Sequence, residues 1–84
     1  MEEVKIYTTP TCLYCRQAKE YMQKKGIKYT EYDVTKNQEA LKEMVKISSA
    51  RSVPVIAACE EVMIGFDPAR LEQMLSCIQH RTAL

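Results

Sequence analysis

Glycine and proline are scarce in this chain, with two and three residues among 84. Their scarcity, with no repeat or low-complexity run, excludes a disordered or fibrous chain. Neither sign of charge is in excess. Twelve Lys and Arg against 11 Asp and Glu leave a net charge of +1. That balance gives no electrostatic reason to expect nucleic acid or a membrane surface as partner. No stretch approaches the ~20 apolar residues of a membrane span. Met1-Glu2-Glu3-Val4 lacks the basic start and apolar run of a secretory signal. The expectation is a cytoplasmic chain. No linker composition interrupts it, so the reading is one domain over 1–84, with a core from about 4 to 78 and a short C-terminal tail.

Residues of 46% apolar character fill this length with alternating strand and helix patterns. Val4 to Thr8 is β-branched and aromatic and predicts a strand, broken by Thr9-Pro10-Thr11. Leu13 to Lys25 predicts a helix with Ala18, Tyr21 and Met22 on one stripe, ended by Gly26 at the position after the cap. Ile27 to Val34 predicts a second strand, completing a βαβ unit with parallel strands. Thr35 with Gln38 resembles a capping box, and Asn37 competes as cap for a helix running to about Ile47. Its buried side is read as Ala40, Leu41, Met44, Val45 and Ile47. After a loop at Ser48 to Arg51, Val53 to Ala58 predicts a third strand, with Pro54 at its start or on an edge. Cys59-Glu60-Glu61 is read as a turn and Val62 to Ile64 as a short fourth strand. Asp67 as cap and Pro68 at the first position open a last helix. Leu71, Met74, Leu75 and Ile78 line it, and His80 to Leu84 is read as a tail. The order β-α-β-α-β-β-α describes an α/β fold, a four-stranded mixed sheet flanked by three helices.

The chain holds four cysteines, Cys12, Cys15, Cys59 and Cys77. With no secretory signal, a framework of structural bridges is not expected. Cys12 and Cys15 form a C-x-x-C pair at the start of the first predicted helix. There, backbone N–H groups and the helix dipole favour negative charge on Cys12. Arg16 and Lys19 add positive charge within a turn or so. Cys15 lies one turn on, placed to attack a mixed disulfide formed at Cys12. This is disulfide exchange and needs no organic cofactor. Two other readings stand beside it: half of a zinc site completed by Cys59, Cys77 or His80, and two ordinary packed cysteines.

With Thr9-Pro10-Thr11-Cys12-Leu13-Tyr14-Cys15 after a strand, Ser52-Val53-Pro54 before another and Gly65-Phe66-Asp67 before the last helix, the chain resembles the glutaredoxins of the thioredoxin superfamily. The likeness runs from Val4 to about Ile78. It implies a thioredoxin-like fold and a thiol–disulfide oxidoreductase that reduces protein disulfides or glutathione mixed disulfides. Cys12 would be the nucleophile and Cys15 the resolving thiol. Pro54 would be cis and face the dithiol, and Val53 would offer its backbone to an extended substrate. A glutathione site would fall on Tyr14, Val53, Gly65, Phe66 and Asp67, with Arg51 or Lys46 near the glycyl carboxylate. Asp67 is equally accounted for as a helix cap, and Arg51 and Lys46 as solvated charges. No metal and no bound cofactor are implied. Glutathione is the implied reductant, disulfide-bearing proteins the partners, and a monomer the implied state.

Two positions depart from the family pattern. Leu13 stands where Cys-Pro-Tyr-Cys has proline, and Ile64 where Gly-Gly-x-Asp has its first glycine. The Gly65-Phe66 pair also resembles redoxins served by thioredoxin reductase that supply electrons to ribonucleotide reductase. An iron–sulfur carrier is a further alternative, against which Cys15 argues. Cys59 fits no family position and is read as an exposed turn thiol open to glutathionylation. Cys77 is read as buried filler.

Overall fold

A computed structural model describes the backbone of residues 4–82 and the side chains of 4–76. Seven elements follow in chain order: β1 (Lys5–Thr8), α1 (Leu13–Lys24), β2 (Thr30–Asp33), α2 (Gln38–Ser48), β3 (Val55–Ala58), β4 (Glu61–Ile64) and α3 (Pro68–Thr82). The strands form one mixed sheet in the order β2-β1-β3-β4. β1 pairs in parallel with β2, and antiparallel with β3, which pairs antiparallel with β4. This is the four-stranded mixed sheet flanked by three helices, in the order β-α-β-α-β-β-α, expected above.

Strand alternation sends side chains to two faces. Ile6, Ile56 and Met63 join Ala18 and Met22 of α1 and Leu71, Met74 and Leu75 of α3 in one cluster. Tyr7 and Val55 join Val34 and the α2 residues Ala40 and Met44 on the other face. Full burial of each large aliphatic side chain contributes about 1.5–3 kcal/mol. The two clusters hold the sheet between α1 with α3 on one side and α2 on the other. The C-terminal end of β1 and the start of α1 thereby meet at one rim.

Local chemistry sets the ends of these elements. α1 stops in a Schellman motif. The Ile27 N–H bonds Met22 O at 2.9 Å, the Gly26 N–H bonds Gln23 O at 3.1 Å, and Gly26 takes φ +72. β2 is shorter than the predicted Ile27 to Val34, because that turn consumes Ile27 and pairing with β1 begins at Thr30. At α2 Asn37 is the cap, its Oδ1 accepting the Ala40 N–H at 3.0 Å. Thr35 is not the cap, because its N–H and hydroxyl both turn back to Asp33. Ile47 is exposed rather than buried: it continues the i, i+4, i+7 stripe of Ala40 and Met44, but it lies in the last turn of α2.

β3 starts at Val55, with Pro54 just before it. The β3–β4 hairpin closes in two residues, Cys59 and Glu60, at φ 53 and 64, so Glu61 joins β4. Cys59 is not the exposed free thiol expected of a turn. It is half-buried against the core and disulfide-bonded. α3 continues to Thr82, so the predicted tail from His80 begins as helix. The expectations for the side chains of Cys77, Ile78 and His80 lie outside the described residues. Among the described residues no helix is long and apolar enough to cross a membrane.

Candidate functional site

Cys12 is the cap of α1, with extended backbone at φ −84 and ψ 115. A cap side chain accepts a hydrogen bond from an otherwise unpaired N–H of the first turn. Here sulfur does so: Cys12 Sγ accepts the Cys15 N–H at 3.1 Å. The Cys12 carbonyl begins the helical ladder with the Arg16 N–H at 3.2 Å. No acidic residue occupies the first turn, so nothing of like charge opposes an anion at this end. The Cys12 thiol also donates to the Val53 carbonyl at 3.8 Å, across 41 residues of sequence.

Cys15 is in a different environment. It is 1% exposed, whereas Cys12 is half-buried, and both are free thiols. Burial pushes the Cys15 thiol up to about 12, helped by its hydrogen bond and charge repulsion with Cys12 and opposed by the Thr9 backbone and the Lys19 charge. One thiol is therefore reachable and receives a backbone hydrogen bond, and its neighbour is shielded and held protonated. That division suits successive attack by two sulfurs.

The Val53–Pro54 peptide is cis. Pro54 is buried, and its carbonyl accepts the Gly65 N–H at 2.8 Å. Gly65 takes φ +85, a conformation that side chains disfavour. This bond ties the end of β4 to the loop that contacts Cys12. Tyr14 and Leu13 are 60% and 54% exposed beside the dithiol, and Ile64 is 50% exposed. Phe66 is half-buried and packs edge-on to Tyr21, with ring centres 6.0 Å apart. Asp67 Oδ1 accepts the Ala69 N–H at 3.1 Å and the Arg70 N–H at 3.5 Å, so its cap role is present in the structure. Arg51 and Lys46 are exposed.

The structure thus brings Cys12, Cys15 and Val53 into contact, and Pro54 with Gly65 behind them. Among the described residues, the side-chain hydrogen bonds of the dithiol involve Cys12, Cys15 and Val53, and not Tyr14, Phe66, Asp67 or Arg51. Among the described residues no group of three or more His, Cys, Asp or Glu is placed to hold a metal ion.

The sequence reading did not anticipate a polar bridge beneath the dithiol. Glu31 Oε2 accepts both Thr8 Oγ1 and Lys19 Nζ, each at 2.8 Å. The shared hydrogen bond holds the Glu31 carboxyl below its usual range and the Lys19 ammonium above its own. An ion pair this open to solvent contributes about 0–1 kcal/mol to stability. Its signal in the sequence was faint: a glutamate in a short strand of mixed polarity, 12 residues from a lysine, pairs only once the parallel register is known.

The glutaredoxin family model matches residues 4–65. A glutaredoxin of Neisseria meningitidis is 40% identical over 75 residues, which cover 87% of this chain and 88% of that protein. A glutaredoxin-like 8.6 kDa protein from the rubredoxin operon of Clostridium pasteurianum is 33% identical over 72 residues, covering 86% and 96%. The glutaredoxin-like NrdH-redoxin of Escherichia coli superposes with a TM-score of 0.76 at 26% identity, covering 86% of this chain and 93% of that one. A glutaredoxin of Archaeoglobus fulgidus superposes with a TM-score of 0.81, covering 89% and 87%, and its 22% identity speaks for the fold alone.

Proposed function

The chain belongs to the glutaredoxin family, and on that premise we propose that it is a thiol–disulfide oxidoreductase working through Cys12 and Cys15. The observation that carries this reading is the capped, accessible Cys12 sulfur at the α1 N-terminus, backed by the buried Cys15 one turn on. Cys12 Sγ attacks one sulfur of a substrate disulfide, and the other sulfur leaves as a thiolate. Cys15 then attacks Cys12 Sγ. A Cys12–Cys15 disulfide forms and the second substrate sulfur leaves. The substrate gains two electrons, the dithiol loses two, and the two thiol protons pass to the released sulfurs or to water. No bound organic cofactor takes part.

The substrates are protein disulfides and glutathione mixed disulfides, with glutathione as reductant. The backbone of Val53 would take an extended substrate chain as an added strand takes its neighbour. Tyr14, Phe66 and Arg51 would border that chain, and Asp67 would add its carboxylate if a ligand competes with the cap. A Cys15→Ser protein incubated with oxidised glutathione tests the assignment. It should carry one glutathione, on Cys12, by peptide mass analysis. An unmodified Cys12 under those conditions counts against the reading.

A second reading changes the reductant. Ile64, where the family pattern has glycine, is half-exposed at the end of β4, next to Gly65, whose N–H bonds the Pro54 carbonyl. The similar NrdH-redoxin is described as having a thioredoxin-like activity profile. A flavoprotein thioredoxin reductase would then re-reduce Cys12 and Cys15. Turnover with that reductase and none with glutathione selects this version.

A further inference from the structure

Lys19 follows Cys15 by four residues on α1, so the two share one face of the helix. Its ammonium does not swing freely. Nζ is held at 2.8 Å by Glu31 Oε2, on β2 across the site from α1. The same oxygen is anchored from below by Thr8 Oγ1 at 2.8 Å, and Thr8 is 1% exposed. Thr8 ends β1 and leads directly into Thr9, whose carbonyl accepts the Cys12 N–H at 3.4 Å. The bridge is therefore built into the frame of the dithiol. The ion pairs Lys5–Glu43 and Lys25–Glu72 are longer, at 3.4 and 3.8 Å. So exposed a pair adds little to stability, and its placement beside a buried sulfur calls for a different account.

The oxidoreductase reading supplies one. While Cys12 is reduced, its hydrogen bond, and its charge when ionised, oppose ionisation of Cys15. Once Cys12 carries the substrate in a mixed disulfide, it holds no charge. Burial still opposes a Cys15 thiolate, and Lys19 is the cation that favours it. Tyr29 and Asp33 are the other ionisable groups that Lys19 and Glu31 face from the β2 side.

Resting on that reading, we propose that Lys19, fixed by Glu31 and Thr8, is a positioning residue for the second half of the exchange, where its ammonium stabilises the Cys15 thiolate. In the forward direction Cys15 loses its proton to water or the departing thiolate and attacks Cys12 Sγ. The Cys12–substrate bond breaks as the Cys12–Cys15 bond forms. In the reverse direction a reductant thiolate attacks Cys12, and Cys15 leaves as the thiolate beside Lys19. A better-stabilised leaving thiolate leaves faster, so one lysine serves both directions.

The test is stopped-flow mixing of the reduced protein with 5,5′-dithiobis(2-nitrobenzoate), which releases one coloured thiolate when Cys12 attacks and a second when Cys15 resolves. Lys19→Met should leave the first phase as it is, slow the second and move the second phase's pH midpoint upward. Each unit by which the Cys15 thiol rises removes about tenfold in thiolate and returns about threefold in nucleophilicity, so the second phase slows roughly threefold per unit. Lys19→Arg, which keeps the charge, should restore both rate and midpoint. A second phase unchanged in Lys19→Met overturns the proposal. Equal slowing of both phases, with no shift in midpoint, also overturns it by showing a merely structural role. A wild-type protein with no first phase overturns the oxidoreductase reading instead, so the two failures are distinct.

Discussion

Cys15 donates its backbone N–H to the sulfur of Cys12 at 3.1 Å, while its own side chain is buried beneath. One residue thus serves its neighbour through the main chain and follows it through the side chain. The two contributions can be separated by mutation.

Cys15→Ser keeps the N–H that caps Cys12 and removes the resolving sulfur. The variant should retain removal of glutathione from mixed disulfides, where a second glutathione can resolve Cys12. It should lose reduction of protein disulfides, which then stay trapped on Cys12. Parallel assays on a glutathionylated peptide and a disulfide-bonded protein check this.

The reduced protein should lose stability in alkali. The Cys15 thiol has an ordinary value near 9.0 and is pushed up to about 12 by burial in the fold. Between those values the folded chain holds a proton that the unfolded chain has released, so stability falls as pH rises. The contribution is complete below about pH 9 and lost as pH rises through about 12. Urea midpoints of wild type and Cys15→Ser, measured reduced from pH 8 upward, should show a steeper fall in the wild type.

Gly65→Ala should destabilise the chain by about 1–2 kcal/mol, because the left-handed backbone disfavours a side chain even where space is open. The residue sits at φ +85 with nothing within 4 Å of an added Cβ, so strain and not a clash is the cause. Its N–H bond to Pro54 O links the strain to the loop that contacts Cys12. Thermal unfolding gives the loss, and substrate KM should rise with it.

Ile64→Gly should shift the reductant. Ile64 is half-exposed beside Gly65, whose N–H bonds the carbonyl of Pro54, next to the Val53 that contacts Cys12. The rate with glutathione should rise several-fold relative to the rate with thioredoxin reductase. Paired NADPH-consumption assays measure the ratio. An unchanged ratio removes Ile64 from the question of reductant.

Much of the fold was legible because each element carried its own punctuation. Gly26 ends α1 and Asp67-Pro68 opens α3, both by local chemistry readable in a few residues. The misplaced boundaries lie where two local signals competed. Thr35 and Asn37 both offered a cap, and only the Asp33 side chain, engaging Thr35, decided between them. Ile27 looked like strand because it is apolar, yet it closes the Schellman turn. Cys59 looked like an open turn thiol because it does sit in the turn, but a turn position does not reveal that its side chain packs on the core and is disulfide-bonded.

At the site, Cys12 and Cys15 were legible from spacing alone. The Cys12–Val53 contact spans 41 residues and was not legible: the family resemblance set Pro54 against the dithiol and gave the Val53 backbone to a substrate. The Thr8–Glu31–Lys19 bridge was not legible, because it depends on three elements meeting at one rim.

The most direct measurement is NADPH-coupled reduction of the mixed disulfide of glutathione with 2-hydroxyethanethiol, comparing wild type with Cys12→Ser. The account predicts turnover by the wild type, with glutathione and glutathione reductase or with thioredoxin reductase alone, and none by Cys12→Ser with either. Full activity in Cys12→Ser would contradict it, because no other sulfur in the site both caps a helix and reaches the surface.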